Sequence, residues 1–158
     1  MEKYFSEQKQ AKGYVNMVQE ILKMMMENAS IEEVNDFLYE LGQRLAKHNP
    51  INANDSLSDF HIQINEKLNL LGFGVAQIED LNTALQITHR QIEECTDQSF
   101  ADSWQRAFAV VLCGLYQGYF AQAGAPSALV CKVVSIVAPN EVVLQLNTIL
   151  RCNASCKA

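Results

Sequence analysis

The sequence predicts an α+β fold: four main α-helices with two β-hairpins that form a small antiparallel sheet. Three observations lead there. Four segments place apolar residues three and four apart, the period of a helix face. Two pairs of short runs with strand character flank polar turns. The elements follow one another without a low-complexity tract or repeat over 158 residues, a length that suits one domain. Residues 1–158 are therefore read as a single domain, with 1–29 as an N-terminal helix and 152–158 as a polar tail.

The first segment, Glu2 to Glu27, is rich in Glu, Gln, Lys and Met. Tyr14, Val18, Ile21, Leu22 and Met25 recur at helical spacing, and Met24-Met25-Met26 leaves its end apolar on several sides. Such a helix must be covered, either by this chain's own core or by a second copy. The second helix opens at Ser30, with Glu33 three residues on, the pattern of a capping box. Its apolar stripe is Ile31, Val34, Leu38, Leu41 and Leu45, widened by Phe37, and Asn49-Pro50 ends it. Ser56 opens the third helix, which carries Leu57, Phe60, Ile64, Leu68 and Leu71 on one face. Gly72 stands where a left-handed C-terminal glycine belongs.

Gly74 to Ile78 and Ala84 to Thr88 alternate apolar and polar residues around Glu79-Asp80-Leu81-Asn82, the first hairpin. Arg90 to Gln98 reads as a polar connection with some helix. Phe100 to Ala123 is the longest apolar segment and is expected to be the central helix. Gly114 and Gly118 inside it each cost about 1 kcal/mol relative to Ala, so close approach of another backbone is expected there. Two β-branched runs, Ala128 to Val137 and Val142 to Leu146, flank Pro139-Asn140 as the second hairpin.

The net charge of −6, from 12 basic and 18 acidic residues, argues against nucleic acid and against anionic lipid as partners. The sequence has no run of 18 apolar residues, so direct membrane insertion as a helix is not expected. The first ten residues have no apolar core of a secretion signal, and five scattered cysteines do not form a disulfide framework. A cytoplasmic location is the simplest expectation.

The search for chemistry nominates little. His48, His61 and His89 fall on separate elements without a zinc-binding pair, and His61 and His89 read as partly buried or capping residues. Cys152 and Cys156, four apart, could share a metal, but zinc wants four ligands and no matching pair exists. Cys113 reads as a small hydrophobe with no base beside it. The acidic pairs Glu32-Glu33, Glu79-Asp80 and Glu93-Glu94 read as solvated surface. Gly72-Phe73-Gly74 lacks the third glycine of a nucleotide-binding loop. Trp104, Tyr14, Tyr116 and Tyr119 could stack on sugar rings, but their helical spacing favours core packing. No catalytic, cofactor-binding or metal site is assigned, and no enzyme activity is expected.

Four stretches carry a resemblance. They are Asn35 to Ala46 (NDFLYELGQRLA), Gln63 to Asn69 running on to Gly72-Phe73-Gly74, Ala84 to His89 (ALQITH), and Trp104 followed by Val111 to Tyr116 (VLCGLY). In this order and spacing, over about Ile31 to Asn147, the chain resembles the D-subunit family of bacterial cellulose synthase (BcsD). That resemblance implies a non-catalytic accessory component of the bacterial cellulose-secreting machine. Members form dimers that assemble to an octameric ring and help glucan chains become crystalline cellulose. It further implies a proline-rich accessory protein and the cellulose synthase complex as partners, and β-1,4-glucan near the N-terminal segments. By position alone, Lys3, Tyr4 and Phe5 become the glucan or assembly contacts. The family has been described as periplasmic as well as an intracellular scaffold; the N-terminus and cysteines here favour the cytoplasmic reading. The competing reading is a small-ligand sensor or carrier of the vinyl-4-reductase type, whose element order is compatible.

Overall fold

The computed structural model describes residues 2–52 and 56–148, with side chains from Lys12 onward. The order is α1 (Glu2–Asn28), α2 (Ile31–His48), α3 (Leu57–Leu71), β1 (Val75–Asp80), β2 (Leu85–Arg90), α4 (Ala101–Gln122), β3 (Leu129–Ala138) and β4 (Glu141–Thr148). The two hairpins join through an antiparallel β2–β4 pairing into one four-stranded sheet, ordered β1-β2-β4-β3.

Local chemistry sets the helix ends. Glu33 N–H donates to Ser30 Oγ at 3.2 Å, and the Ser30 backbone N–H donates back to the Glu33 carboxylate at 2.9 Å. Both arms of the capping box are thus present. Ser56 Oγ accepts from the Asp59 N–H at 3.3 Å at the start of α3. Gly72 closes α3 with φ +67°, a conformation a side chain would strain. Arg90 to Gln98 contains no helix beyond the end of β2. Trp104 Nε1–H donates to the Glu93 carbonyl at 2.7 Å, and Ile92 and Cys95 are buried, so tertiary contacts and not a helix fix this connection.

Helix α4 is the hub. Thirteen of its 22 residues are buried, among them Leu112, Leu115, Tyr116 and Tyr119 without exposed surface. The sheet lays Ile87, Val142, Leu144 and Leu146 against it, α3 adds Ile64 and Leu68, and α2 covers the other side.

The α2–α4 contact corrects the stripe expected of α2. Its buried residues are Val34, Leu38, Gly42 and Ala46, whereas Ile31, Phe37 and Leu41 are exposed. Backbones touch where glycines meet. A methyl group on Gly42 would collide with the Val111 carbonyl, and one on Gly114 with the Tyr39 carbonyl. A methyl on Gly118 would come within 2.6 Å of Ala46 Cβ. The interior glycines of α4 are thus explained by α2 of the same chain.

Candidate functional site: the outer face of α1 and α2

Helix α1 buries only part of the stripe its sequence displays: Leu22 is buried and Met25 half-buried, whereas Tyr14, Val18 and Ile21 stay outside the core. Tyr14, Met17, Val18, Ile21 and Met24 fall at helical spacing, and all face solvent, Tyr14 at 65% and Met24 at 62% exposure. The buried contacts of α1 are Gln19 and Leu22, with Met25 and Met26 packed partly against the core. Lys23 ties the helix down. Its ammonium reaches Glu20 at 2.8 Å and Asp97 at 2.9 Å, and lies 5.3 Å from the Phe100 ring centre. These bonds, to Glu20 first and then Asp97, raise the Lys23 pKa above its ordinary value. Asp97 is held down at about 2, mainly by the Ser99 hydroxyl and then by Lys23.

The exposed apolar residues of α2 continue this stripe. Ile21, Met24 and Met25 on α1 face Val34 and Phe37 on α2 across an open groove of about 560 Å³, with Glu33 at its rim. Ile31 and Leu41 are also exposed on α2. The capping box at Ser30 fixes where α2 begins, beside the groove that Ala29 and Glu33 also line. Chemically the face offers aliphatic, thioether and aromatic contact, which suits a protein partner and no bond-making chemistry.

The structure separates the chemical candidates of the sequence. Glu33 is used in its cap, where hydrogen bonds from the Ser30 backbone and hydroxyl lower its pKa. Glu79, Asp80, Glu93 and Glu94 lie exposed on different loops and strand ends. Among the described residues, no group of three or more His, Cys, Asp or Glu side chains could hold a metal. Trp104, Tyr116 and Tyr119 are core residues, and of the four candidate stacking aromatics Tyr14 alone is open to solvent. Cys113 and Cys131 are buried against each other; the bond to Cys113 and then burial push the Cys131 thiol well up, away from reactivity. Lys3, Tyr4 and Phe5 lie in the first turns of α1, and their side chains, like Cys152 and Cys156, fall outside the described residues.

His89 holds a more specific place than the ordinary one its sequence context suggests. It has no exposed surface. Its Nε2 lies 2.6 Å from the Phe73 carbonyl and its Nδ1 lies 2.6 Å from the Tyr116 hydroxyl. A carbonyl only accepts, so Nε2–H donates to Phe73, and the Tyr116 O–H donates to Nδ1. The imidazole is neutral: burial lowers its pKa to about 4, against a smaller opposing effect of the Phe73 carbonyl. The only hint in the sequence was a histidine ending an alternating strand with its apolar phase. His61, by contrast, is half-buried, with Nε2 at 2.8 Å from the Ala76 carbonyl.

Comparison with solved structures shows a shared fold. The trafficking protein particle complex subunit 3 of Naegleria fowleri, solved covalently bound to palmitic acid, superposes with a TM-score of 0.56 at 10% identity. The match covers 89% of this chain and 96% of that one. No curated protein sequence matches. The family model for the D subunit of cellulose synthase matches residues 1–147, nearly the whole length, and the chain belongs to that cellulose synthase family.

Proposed function

We propose that this protein is a non-catalytic, oligomeric accessory subunit that organises cellulose synthase complexes, or the glucan chains they release, for crystalline cellulose production. The family ties the chain to the cellulose synthase complex. The observation that carries the organising role is the α1–α2 face. Eight large apolar side chains, Tyr14, Met17, Val18, Ile21 and Met24 on α1 with Ile31, Phe37 and Leu41 on α2, stand exposed on two adjoining helices. Exposed apolar surface on that scale marks a protein interface, and a standard interface takes about 800 Å² from each partner. In this reading two copies bury the face against each other, and the dimers assemble to an octamer.

The N-terminal turns of α1 extend from this face. Lys3, Tyr4 and Phe5 serve there as assembly or glucan contacts, with Tyr14 as the nearest described aromatic able to stack on a pyranose. A proline-rich accessory protein is the expected heterologous partner. The compartment is the cytoplasm: the three described cysteines, Cys95, Cys113 and Cys131, are buried free thiols, which suits a reducing environment. Among the described residues no helix is long and apolar enough to cross a membrane.

The test is solution mass by size-exclusion chromatography with light scattering. A mass near eight times 17.7 kDa is expected. A monomer across micromolar concentrations overturns the scaffold. The shared fold with a palmitate-bearing protein favours a second reading, a small-ligand carrier of the vinyl-4-reductase type. Native mass spectrometry separates the two, because a stoichiometric acyl chain on a small species supports the carrier. The closely filled core around Ile64, Leu68, Leu112 and Leu115, each without exposed surface, favours the scaffold.

A further inference from the structure

The sheet has two edges, β1 and β3. Helices guard part of each with side-chain amides. On β1, the Ala76 N–H donates to Asn65 Oδ1 at 2.9 Å and the Asn65 amide donates to the Ala76 carbonyl at 2.9 Å. On β3, the Cys131 N–H donates to Gln117 Oε1 at 2.9 Å, and the Gln117 amide donates to the Leu129 carbonyl at 2.7 Å. At the far end, the Gln105 amide donates to the Ala138 carbonyl. Each bond occupies an edge group that a foreign strand would need.

Between Gln117 and Gln105 the guard is missing. No described side chain bonds the backbone of Val133, Val134, Ser135, Ile136 or Val137. Val134 is 53% and Val137 61% exposed, and Val133 and Ile136 are also open. The two register shifts of the β3–β4 pairing fall here, so Val134 and Val137 are the extra, bulged residues. A bulge ordinarily blunts an edge. Here it turns β-branched apolar side chains outward where a lysine would repel.

We propose that Val133–Val137 is a second interface between copies of this chain, in which β3 of one copy lies antiparallel to β3 of another. The inference rests on the ring reading above. A closed assembly larger than a dimer built from two-fold contacts needs two different self-complementary surfaces, and the α1–α2 face supplies one. Charge favours a second copy here. At a net charge of −6, copies repel over most of their surface, whereas 133–138 carries no charge. With the two-fold axis at Ser135, Lys132 stands opposite Ala138 and not opposite a second Lys132.

The experiment compares solution masses of the full chain, V134K/V137K, I21E/M24E and the four-fold combination. All four positions are exposed, so unchanged circular dichroism is expected to confirm folding. The wild type is expected at ring size. Each double variant should stop at twice 17.7 kDa, because it keeps one interface, and the combination should be a monomer. Wild-type mass retained by V134K/V137K overturns the β3 interface and leaves the ring reading standing. It is also the outcome expected if the edge serves an extended peptide of another protein. A wild type no larger than a dimer overturns the ring reading itself. Hydrogen exchange gives a second readout without substitution. The Val133–Val137 amides should slow by roughly tenfold or more between dissociating and assembling concentrations; no change between them also overturns the proposal.

Discussion

Acid should weaken this protein through one histidine. His89 titrates near 6.5 when unfolded and about 4 when folded, because burial disfavours its charged form. The folded pKa is the depressed one, so between pH 6.5 and 4 the unfolded chain binds the extra proton. Stability is therefore full above pH 6.5 and is lost as pH falls toward 4. Each unit corresponds to about 1.4 kcal/mol, so acidification from pH 7 to pH 5 should remove about 2 kcal/mol. The structural reason is visible. In the cation Nδ1 carries a hydrogen, and the Tyr116 hydroxyl that donates to it must turn its own hydrogen into the apolar core. Among the described residues, the only other ionisable group bonded to the ring is Tyr116 itself, which burial keeps neutral. At pH 5 the Asp97 carboxylate, with its pKa at about 2, is still ionised and adds nothing in this window. Urea unfolding of wild type and His89→Gln at pH 7 and 5, at one protomer concentration, measures the effect. Glutamine can still donate to Phe73, so the variant should fold, with a pH slope smaller by about 2 kcal/mol over the window. A wild-type slope equal to that of the variant would refute the reasoning, since His48 and His61 remain in both.

Other expectations follow from packing and caps. Gly114→Ala puts a methyl against the Tyr39 carbonyl, a backbone atom that cannot rotate away, and should cost about 3 kcal/mol or more in urea unfolding. Gly118→Ala is crowded by Ala46 Cβ alone, with the Gln43 backbone at ordinary contact distance, so Gly118→Ala with Ala46→Gly should recover about 1 kcal/mol relative to the sum of the singles. Ser30→Ala removes the side chain of the capping box and should cost about 1 kcal/mol, read as a fall in thermal midpoint of about 2–4 °C.

Elements with local causes were legible. The Ser30 and Ser56 caps, the Gly72 terminus, both hairpins and the span of α4 follow from residues within a few positions of each other, and the structure repeats them. What failed depends on partners distant in sequence. The α2 stripe holds at Val34 and Leu38 and in part at Leu45 but fails at Ile31 and Leu41, because the helix turns Gly42 and Ala46 inward, where only small residues let it reach Gly114 and Gly118. Hydrophobic spacing weights large side chains and is blind to a seam built on their absence. The helix expected within Arg90 to Gln98 is absent for a similar reason. Trp104 takes the Glu93 carbonyl and Lys23 takes Asp97, bonds across 11 and 74 positions that no local pattern announces. The His89 network spans three elements, and Phe73 contributes a carbonyl, which any residue would carry. The α1 face was half legible. Periodicity puts Tyr14, Val18, Ile21 and Leu22 on one stripe, and only the fold shows that the described residues bury Leu22 and leave the other three uncovered.

The stretches that carry the family resemblance also explain why the site itself was hard to read. Tyr39 and Gly42 meet Gly114; Asn65 brackets Ala76; Phe73, His89 and Tyr116 close one hydrogen-bonded chain. Apart from Ala76, those residues come from the four stretches, all of which are represented, and they meet in or against the core. The resemblance is thus written in contacts that specify the fold: a glycine seam, an amide guard on a strand edge and a buried neutral histidine. Such contacts tolerate few alternatives, because a methyl group or a proton at them has nowhere to go. The proposed interfaces, the α1–α2 face and the β3 edge, would work by apolar area and shape, and many combinations of Val, Ile, Met and Phe supply that. If the proposed scaffold reading holds, this chain identifies itself by its interior, while the surfaces that would do the assembling leave little trace in sequence beyond uncovered apolar residues.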